Sequence, residues 1–257
     1  MRGLKDKVVI ITGAGAGIGK ATALEFGLQG CKVVVVDRDE EAGLNVVKMI
    51  EERNGHAFYV KADVSNENDI KQMVEKSLKK YSKIDILVNN AGLFNNSGMN
   101  ATVEEWNEVF KTNVLGPFLC AKYCLPSMKK NGSGSIVNVA SISGLIAQEN
   151  YLLYSTTKGA LINMARCMAL DLGKYNIRVN NICPGTVWTE NNAYYIKKSH
   201  NLDKEGANLH PDFGGGNMLS RVAEPEEIAR AIVFLASEDS SFITAENLIV
   251  DGGYIAK

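Results

Sequence analysis

The chain has 257 residues, 46% of them hydrophobic, and its 28 basic and 29 acidic side chains leave a formal charge of −1. This size allows a substantial core in one large α/β domain or two small ones. The balanced charge argues against a nucleic-acid partner, and no apolar run approaches the roughly 18 residues of a membrane span.

Short β-branched runs alternate with longer amphipathic segments along the chain, a pattern typical of α/β proteins. Strands are predicted at Val8–Thr12, Lys32–Asp37, Ala57–Ala62, Ile84–Asn89, Ser135–Ala140, Ile177–Ile182 and Asn247–Val250. Helices are predicted at Gly17–Gln29, Glu40–Arg53, Glu67–Tyr81, Val103–Lys130, Tyr151–Lys174 and Glu226–Ala236, with Asp39 and Ser65 as helix N-caps. We expect one doubly wound, Rossmann-type α/β domain over residues 1–257 with a mainly parallel, seven-stranded sheet.

The segment Thr186–Leu219 interrupts this rhythm after the sixth strand and is rich in Asn, Tyr, His and Gly. A long segment at the carboxyl edge of a parallel sheet lies where ligands bind, so a substrate lid is predicted at about 186–219. The alternative is a variable surface loop. His200 and His210 are interpreted as lid surface rather than metal ligands.

The five cysteines, Cys31, Cys120, Cys124, Cys167 and Cys183, lack metal-ligand spacing. We therefore expect reduced thiols and no metal. The first residues run into a strand without the apolar segment of a secretory signal, which favours a cytoplasmic location.

A glycine-rich turn, Thr12-Gly13-Ala14-Gly15-Ala16-Gly17-Ile18-Gly19, joins the first strand to the first helix. Glycines let a pyrophosphate approach backbone N–H groups at a helix N-terminus. Asp37 ends the second strand, where a carboxylate accepts hydrogen bonds from an adenosine ribose and repels a 2′-phosphate. This predicts NAD over NADP, with Arg38 as the one contrary residue, since it could reach a 2′-phosphate.

Two further turns are predicted to contact the cofactor. Asp63 and Val64 follow the third strand; Asp63 is placed for the adenine amine or, alternatively, caps a helix. Asn89-Asn90-Ala91-Gly92 ends the fourth strand, where small residues suit a backbone close to the cofactor, although a plain turn uses the same residues.

Tyr154 and Lys158 stand four residues apart on a predicted helix, with Ser141 thirteen residues upstream of Tyr154. Residues i and i+4 share a helix face, and a fixed cation lowers a phenol's pKa toward the working range of a general acid/base. The alternative for Tyr154 is an amphipathic core residue. Tyr194 and Lys198 have the same spacing but no serine in the matching strand context.

Together these motifs resemble the short-chain dehydrogenase/reductase family. The match comprises the glycine-rich turn, Asn89-Asn90-Ala91-Gly92, Asn113, Ser141, the run from Tyr154 to Lys158, and Pro184-Gly185 followed by Thr189. It extends from about Lys7 to Tyr254.

The resemblance implies a role for each matching residue. Tyr154 would exchange the proton with the substrate oxygen, and Ser141 would hydrogen-bond that oxygen. Lys158 would lower the pKa of Tyr154 and bind the nicotinamide ribose. Asn113 would hold a water in a proton relay, with helix packing as its alternative role. At the nicotinamide, Pro184, Gly185, Val187 and Thr189 would line the site, and Thr189 would hydrogen-bond the carboxamide.

These motifs predict an NAD-dependent enzyme that interconverts a small-molecule secondary alcohol and a ketone. Two alternatives stay open: an NADPH-dependent 3-oxoacyl carrier-protein reductase, and a noncatalytic dinucleotide-binding sensor on the same fold. Family resemblance also suggests a homotetramer. A partly apolar substrate is expected, such as a steroid, a cyclic diol or a polyol. The pocket candidates are Leu93, Phe94, Ser143, Ile146, Gln148, Tyr151, Trp188, Tyr194 and Tyr195.

Overall fold

The computed structural model describes residues 1–257 and contains one seven-stranded sheet in which every pairing is parallel. Its strands, in chain order, are β1 Val8–Thr12, β2 Lys32–Asp37, β3 His56–Lys61, β4 Ile86–Asn89, β5 Gly134–Val139, β6 Ile177–Pro184 and β7 Asn247–Val250. The spatial order is β3-β2-β1-β4-β5-β6-β7. Strands β1 to β3 are added toward one edge of the sheet and β4 to β7 toward the other, so the strand order switches between β1 and β4. Ligands bind at the carboxyl edge of such a switch point.

Nine α-helices accompany the sheet. They are α1 Gly17–Leu28, α2 Glu40–Glu51, α3 Glu67–Tyr81, α4 Val103–Phe110, α5 Gly116–Asn131, α6 Leu152–Leu172, α7 Glu190–His200, α8 Lys204–Leu209 and α9 Pro225–Ala236. No helix is long and apolar enough to cross a membrane.

Two hydrophobic cores, one on each face, hold the helices to the sheet. Val33 and Val35 pack in one core, with α1, α2 and α9. Val34 and Val36 pack in the other, with α3, α5 and α6. Consecutive side chains of a strand point to opposite faces, so both faces of β2 are buried.

Several predicted boundaries are corrected. β3 and β5 each lie one residue earlier than predicted, and β6 extends two residues further, to Pro184. Three other differences have a visible cause. The helix predicted over Val103–Lys130 is interrupted by a π-helical turn at Lys111–Leu115. The sequence did not predict this turn, because one added residue per turn hardly changes the hydrophobic pattern. The N-cap of α3 is Asn66, whose side chain accepts from the Asn68 N–H at 2.9 Å, rather than Ser65. β4 begins two residues late because the Ile84 N–H donates to Ser127 instead of to a strand.

Candidate active site

A cleft of about 500 Å³ lies at the carboxyl edge of the sheet, between the turns that follow β1 to β6. It is lined by nearly all of the residues predicted for the cofactor: Gly13, Gly15, Ala16, Gly17, Ile18, Asp37, Arg38, Asp63, Val64, Asn90, Ala91, Gly92, Tyr154, Lys158, Pro184, Gly185, Val187 and Thr189. The exception is Gly19, the third residue of α1, which does not line the cleft. Ser141 lines the cleft as well, whereas Asn113 does not.

The glycine-rich turn is compact because side chains are excluded from it. A Cβ on Gly19 would lie 2.0 Å from the Gly13 carbonyl oxygen, and one on Gly13 would lie 2.9 Å from Ala91 Cα. The turn leads into α1, whose N-cap Ala16 offers no side-chain acceptor and whose first turn has no acidic residue. The resulting N–H groups form the kind of cradle that a diphosphate fills.

Asn90 braces this turn from the end of β4. Its Nδ2 donates to the carbonyl oxygens of Thr12 and Gly13, both at 2.9 Å. In return, the Thr12 hydroxyl accepts from the N–H groups of Asn90 and Ala91 at 3.1 and 3.2 Å. The motif at Asn89 therefore joins β4 to the glycine-rich turn, and Asn89 itself ties the sheet by donating to Asn138 Oδ1 at 2.9 Å.

Asp37 is held in one orientation at the end of β2. One carboxylate oxygen accepts from the Gly15 N–H at 2.8 Å, and the other accepts from the Asp39 N–H at 3.0 Å. Asp63, the other acidic candidate, accepts from the Ser65 N–H at 2.8 Å, which is a local turn contact. Of the two, Asp37 presents the carboxylate nearer the glycine-rich turn.

Ser141, Tyr154 and Lys158 converge at the other end of the cleft. Lys158 is buried on α6, and its Nζ lies 5.4 Å from the centre of the Tyr154 ring. The same ammonium donates to the Val139 carbonyl at 2.7 Å. Ser141 follows β5 and donates to the Ser143 hydroxyl at 3.1 Å, and Ser143 donates to Gln148 at 2.5 Å. Ser143, a substrate-pocket candidate from the sequence, thus contacts and orients Ser141.

The polypeptide by itself keeps Tyr154 protonated. Desolvation by the surrounding protein raises the pKa of Tyr154 to about 12, and its hydrogen bond with Ser141 only partly opposes this. Burial also lowers the pKa of Lys158 to about 8. For the protein groups alone, burial outweighs any lowering of this pKa by Lys158, whose ammonium donates to the Val139 carbonyl.

Asn113 lies in the π-helical turn, and its side chain is fully committed to protein contacts. Its Oδ1 accepts from the Leu93 N–H at 2.7 Å, and its Nδ2 donates to the Leu93 carbonyl at 2.8 Å. Nδ2 also donates to the Thr157 hydroxyl at 3.1 Å, next to Lys158. The side chain of Asn113 thus holds the loop after β4 against α6.

The segment predicted as a lid contains two helices, α7 and α8. Thr189 caps α7 by accepting from the Asn192 N–H at 3.2 Å, and Asp203 caps α8 by accepting from Gly206 at 2.9 Å. Tyr194 of the competing tyrosine–lysine pair is exposed and does not line the cleft.

The two histidines of this segment are closer together than their sequence separation suggested. The rings of His200 and His210 lie 5.4 Å apart, and both contact Phe213 at 5.1 Å. The interpretation as plain lid surface is thus incomplete. No group of three or more His, Cys, Asp or Glu side chains could hold a metal ion.

A family model described as enoyl-(acyl carrier protein) reductase, of the short-chain alcohol dehydrogenase type, matches residues 13–255. The chain is a short-chain dehydrogenase/reductase. It is an oxidoreductase of that family, which uses a nicotinamide dinucleotide and acts on CH–OH groups.

Relatives of this short-chain dehydrogenase/reductase differ in their substrates. It is 36% identical to meso-2,3-butanediol dehydrogenase of Serratia marcescens, over 98% of this chain and 95% of that protein. It is 35% identical to cyclopentanol dehydrogenase of Comamonas sp. (strain NCIMB 9872), over 98% of each chain. A 7α-hydroxysteroid dehydrogenase solved with NADH and 7-oxo glycochenodeoxycholic acid superposes with a TM-score of 0.90 at 33% identity, over 97% and 94%.

Sequence reasoning did not single out two contacts of this dehydrogenase/reductase. Glu190 reaches across to the Gly17 N–H, and the Val139 carbonyl receives Lys158. The sequence around these residues does not indicate either contact. Glu190 is 173 residues from Gly17, and every residue has a backbone carbonyl, so the identity of Val139 does not mark it as an acceptor. The N-cap pattern at Thr189 was the only visible sign that α7 begins at this place.

Proposed function

We propose that this protein is an NAD(H)-dependent dehydrogenase that interconverts a secondary alcohol and a ketone, with Tyr154 as general acid/base. The observation that carries the proposal is the single cleft in which Tyr154, Ser141 and Lys158 face a glycine-rich turn at a helix N-terminus. When bound there, the nicotinamide dinucleotide supplies or accepts the hydride.

The protein's own groups manage the proton. The Tyr154 hydroxyl gives its proton to a carbonyl oxygen during reduction and takes one from an alcohol during oxidation. Ser141 Oγ is held by the Ser143 N–H, and its hydroxyl proton would turn from the Ser143 hydroxyl to the substrate oxygen, where it stabilises the negative charge. Lys158 is the nearby cation that favours the phenolate and would bind the nicotinamide ribose. Thr189 would bind the carboxamide, and Asn113 would support the proton path.

The test is Tyr154→Phe, assayed by NADH absorbance at 340 nm over a panel of secondary alcohols. We expect turnover to fall about 10²- to 10⁴-fold, the usual contribution of a general acid/base, while NAD⁺ binding is kept. Tyr194→Phe, in the competing tyrosine–lysine pair, is the matched control. Substantial residual activity in Tyr154→Phe, or no turnover by the wild type with any alcohol, refutes the assignment.

The choice of NAD over NADP rests on Asp37. Its carboxylate is held by two backbone N–H groups and lines the cleft, where it would accept from a ribose diol and repel a 2′-phosphate. Arg38 also lines the cleft. We expect a higher kcat/KM with NAD⁺ than with NADP⁺, and a smaller ratio in Asp37→Asn. Equal efficiencies with the two cofactors in the wild type contradict the proposal.

We propose further that residues 1–257 form one domain and that residues 186–219 cover the cleft as a lid.

We also propose that four copies of the chain assemble. Support for assembly comes from large apolar side chains exposed on the helices, notably Leu170 of α6 at 85% and Phe118 of α5 at 43%. Phe242 and Ile249 near β7 are exposed as well. A homotetramer predicts a mass near four times 27.9 kDa by sedimentation, and a monomer refutes it.

A further inference from the structure

Phe94 and Tyr154, which both line the cleft, belong to an aromatic cluster. Phe94, just after β4, makes edge-to-face contacts with three tyrosines: Tyr151 and Tyr154, each at 5.1 Å between ring centres, and Tyr195 of α7 at 5.3 Å. Such contacts stabilise each pair by about 0.5–1.5 kcal/mol beyond the area they bury. Phe94 therefore joins the catalytic tyrosine to the proposed lid.

Phe94 occupies one side of the Tyr154 ring. At 5.1 Å from Tyr154, the Phe94 ring is in direct contact with the phenol, so no substrate fits between them. Asn96 also donates to the Tyr195 hydroxyl at 3.4 Å, and a hydrogen bond with Tyr195 adds to the burial that raises the pKa of Tyr151. The same cleft of about 500 Å³ must take both the dinucleotide and the substrate.

We propose that Phe94 and Tyr195 restrict the substrate to compact secondary alcohols, of the size of a short-chain diol or a five-membered ring. A fused-ring alcohol would have to break the contact between Phe94 and Tyr195 before its oxygen reached Tyr154. This inference rests on the proposed dehydrogenase function. It separates this chain from the structurally similar hydroxysteroid dehydrogenase and places it with relatives that act on small alcohols.

The test compares kcat/KM for cyclopentanol and for a 7α-hydroxysteroid in the wild type and in Phe94→Ala. We expect the wild type to favour cyclopentanol, and Phe94→Ala to shift the ratio toward the steroid by about tenfold or more, since misfit of an apolar group changes kcat/KM by roughly 10–200-fold. Phe110→Ala on α4 is the matched control, because Phe110 is also 43% exposed, against 45% for Phe94, but lies outside the cleft.

Two results would overturn the inference: efficient steroid turnover by the wild type, or an unchanged ratio in Phe94→Ala. Tyr195→Ala tests the same contact from the lid side, and its ratio should shift in the same direction if Phe94→Ala does not fold. Failure of the wild type on every alcohol is a different result, because it refutes the proposed function itself.

A separate observation concerns the diphosphate cradle. Glu190, the first residue of α7, accepts a hydrogen bond from the Gly17 N–H at 3.1 Å. Gly17 is the first residue of α1, and neither its N-cap nor its first turn provides an acidic side chain. The carboxylate at this helix N-terminus thus comes from a residue 173 positions away in the sequence.

The contact joins the cradle to the start of the proposed lid. A Cβ on Gly17 would lie 3.0 Å from Thr189 Cγ2, so the cap of α7 is packed directly against the turn. Both a carboxylate and a phosphate are stabilised at a helix N-terminus by the same N–H groups and the same dipole. They cannot occupy the Gly17 N–H together without strong repulsion between their charges.

We infer that Glu190 competes with the cofactor's diphosphate for the N-terminus of α1 and so weakens dinucleotide binding. A bound diphosphate would displace the Glu190 carboxylate from Gly17. Cofactor binding is thereby coupled to the position of the first turn of α7. The inference depends on the dinucleotide cofactor of the family but not on the substrate or on which residue moves the proton.

The test is the Kd of NAD⁺ for Glu190→Gln, measured by quenching of protein fluorescence without turnover. A charge at a helix end contributes about 0.3–1 kcal/mol, which corresponds to roughly two- to fivefold, so we expect Glu190→Gln to bind that much more tightly. The gain should shrink as salt is raised, and it should appear with ADP but not with adenosine, which has no phosphate.

Glu226→Gln is the matched control, because Glu226 lines the same surface recess as Glu190 and Gly17 but makes no hydrogen bond to the turn. An equal gain in that variant would mean that general charge, not the Gly17 contact, sets the affinity. Unchanged or weaker NAD⁺ binding in Glu190→Gln also overturns the inference.

Discussion

Replacing Asn113 by alanine separates two roles for this residue, a structural clamp and a part of the proton path. The side chain is only 1% exposed and makes three hydrogen bonds, two with Leu93 and one with Thr157. At about 1 kcal/mol for each lost bond, Asn113→Ala should lower the free energy of unfolding by about 3 kcal/mol, with partly buried Leu93 groups left unpaired.

Urea unfolding at fixed protein concentration measures this loss, and 340 nm kinetics of the same samples measure kcat and KM. Asn107→Ala is the control, because Asn107 is exposed on α4 and its change should stay within about 0.5 kcal/mol. If Asn113→Ala lost less than about 1 kcal/mol while kcat collapsed, the clamp derived from these contacts would be wrong, and a dedicated proton role would explain the residue instead.

Three further predictions follow from particular contacts. Gly19→Ala should lower the melting temperature and weaken NAD⁺ binding, because its Cβ would meet the Gly13 carbonyl at 2.0 Å, whereas Gly173→Ala, in open space, should do neither. A thiol reagent should modify one cysteine in the native protein and all five after denaturation, since only Cys167 is exposed; faster reaction of a second thiol would contradict this burial. Arg221 lowers the pKa of Glu227 to about 2, against 4.5 ordinarily, so the ion pair stabilises the fold above pH 4.5 and this contribution is lost as the pH falls toward 2. The melting temperature of Glu227→Gln should therefore lie below that of the wild type at pH 7 and approach it in acid, and a difference independent of pH would refute the assignment.

The sequence predicted the sheet well because its strands are determined by local pattern. The bounds of β1, β2 and β7 agree with the prediction, and the valines of β2 divide between the two cores as a doubly buried strand requires. The π-helical turn around Asn113 escaped prediction because it inserts one residue without disturbing which side chains are apolar. Similarly, the helices α7 and α8 lie in a polar segment with little apolar periodicity, and only their caps, Thr189 and Asp203, signalled them.

Long-range contacts account for the rest of what the sequence could not show. The spacing of Tyr154 and Lys158 predicted a shared helix face, but it could not show that Lys158 donates to Val139, a backbone acceptor on β5. Nor could it place Glu190 on Gly17. Both contacts form where the carboxyl ends of separate strands meet. The residues next to each partner in the sequence therefore do not predict the contact.

Burial gives Tyr154 and Lys158 opposite shifts that work toward the same end. Desolvation disfavours charge, so it raises the pKa of the phenol to about 12 and lowers the pKa of the ammonium to about 8. Near neutral pH the protein groups therefore hold Tyr154 as a proton donor beside a lysine that is still mostly charged. In the proposed reaction, this protonated form is the one that would protonate a carbonyl oxygen. The reverse reaction needs the phenolate, so positive charge close to Tyr154 would favour it, and Lys158 is the cation that α6 places 5.4 Å from the centre of the phenol ring.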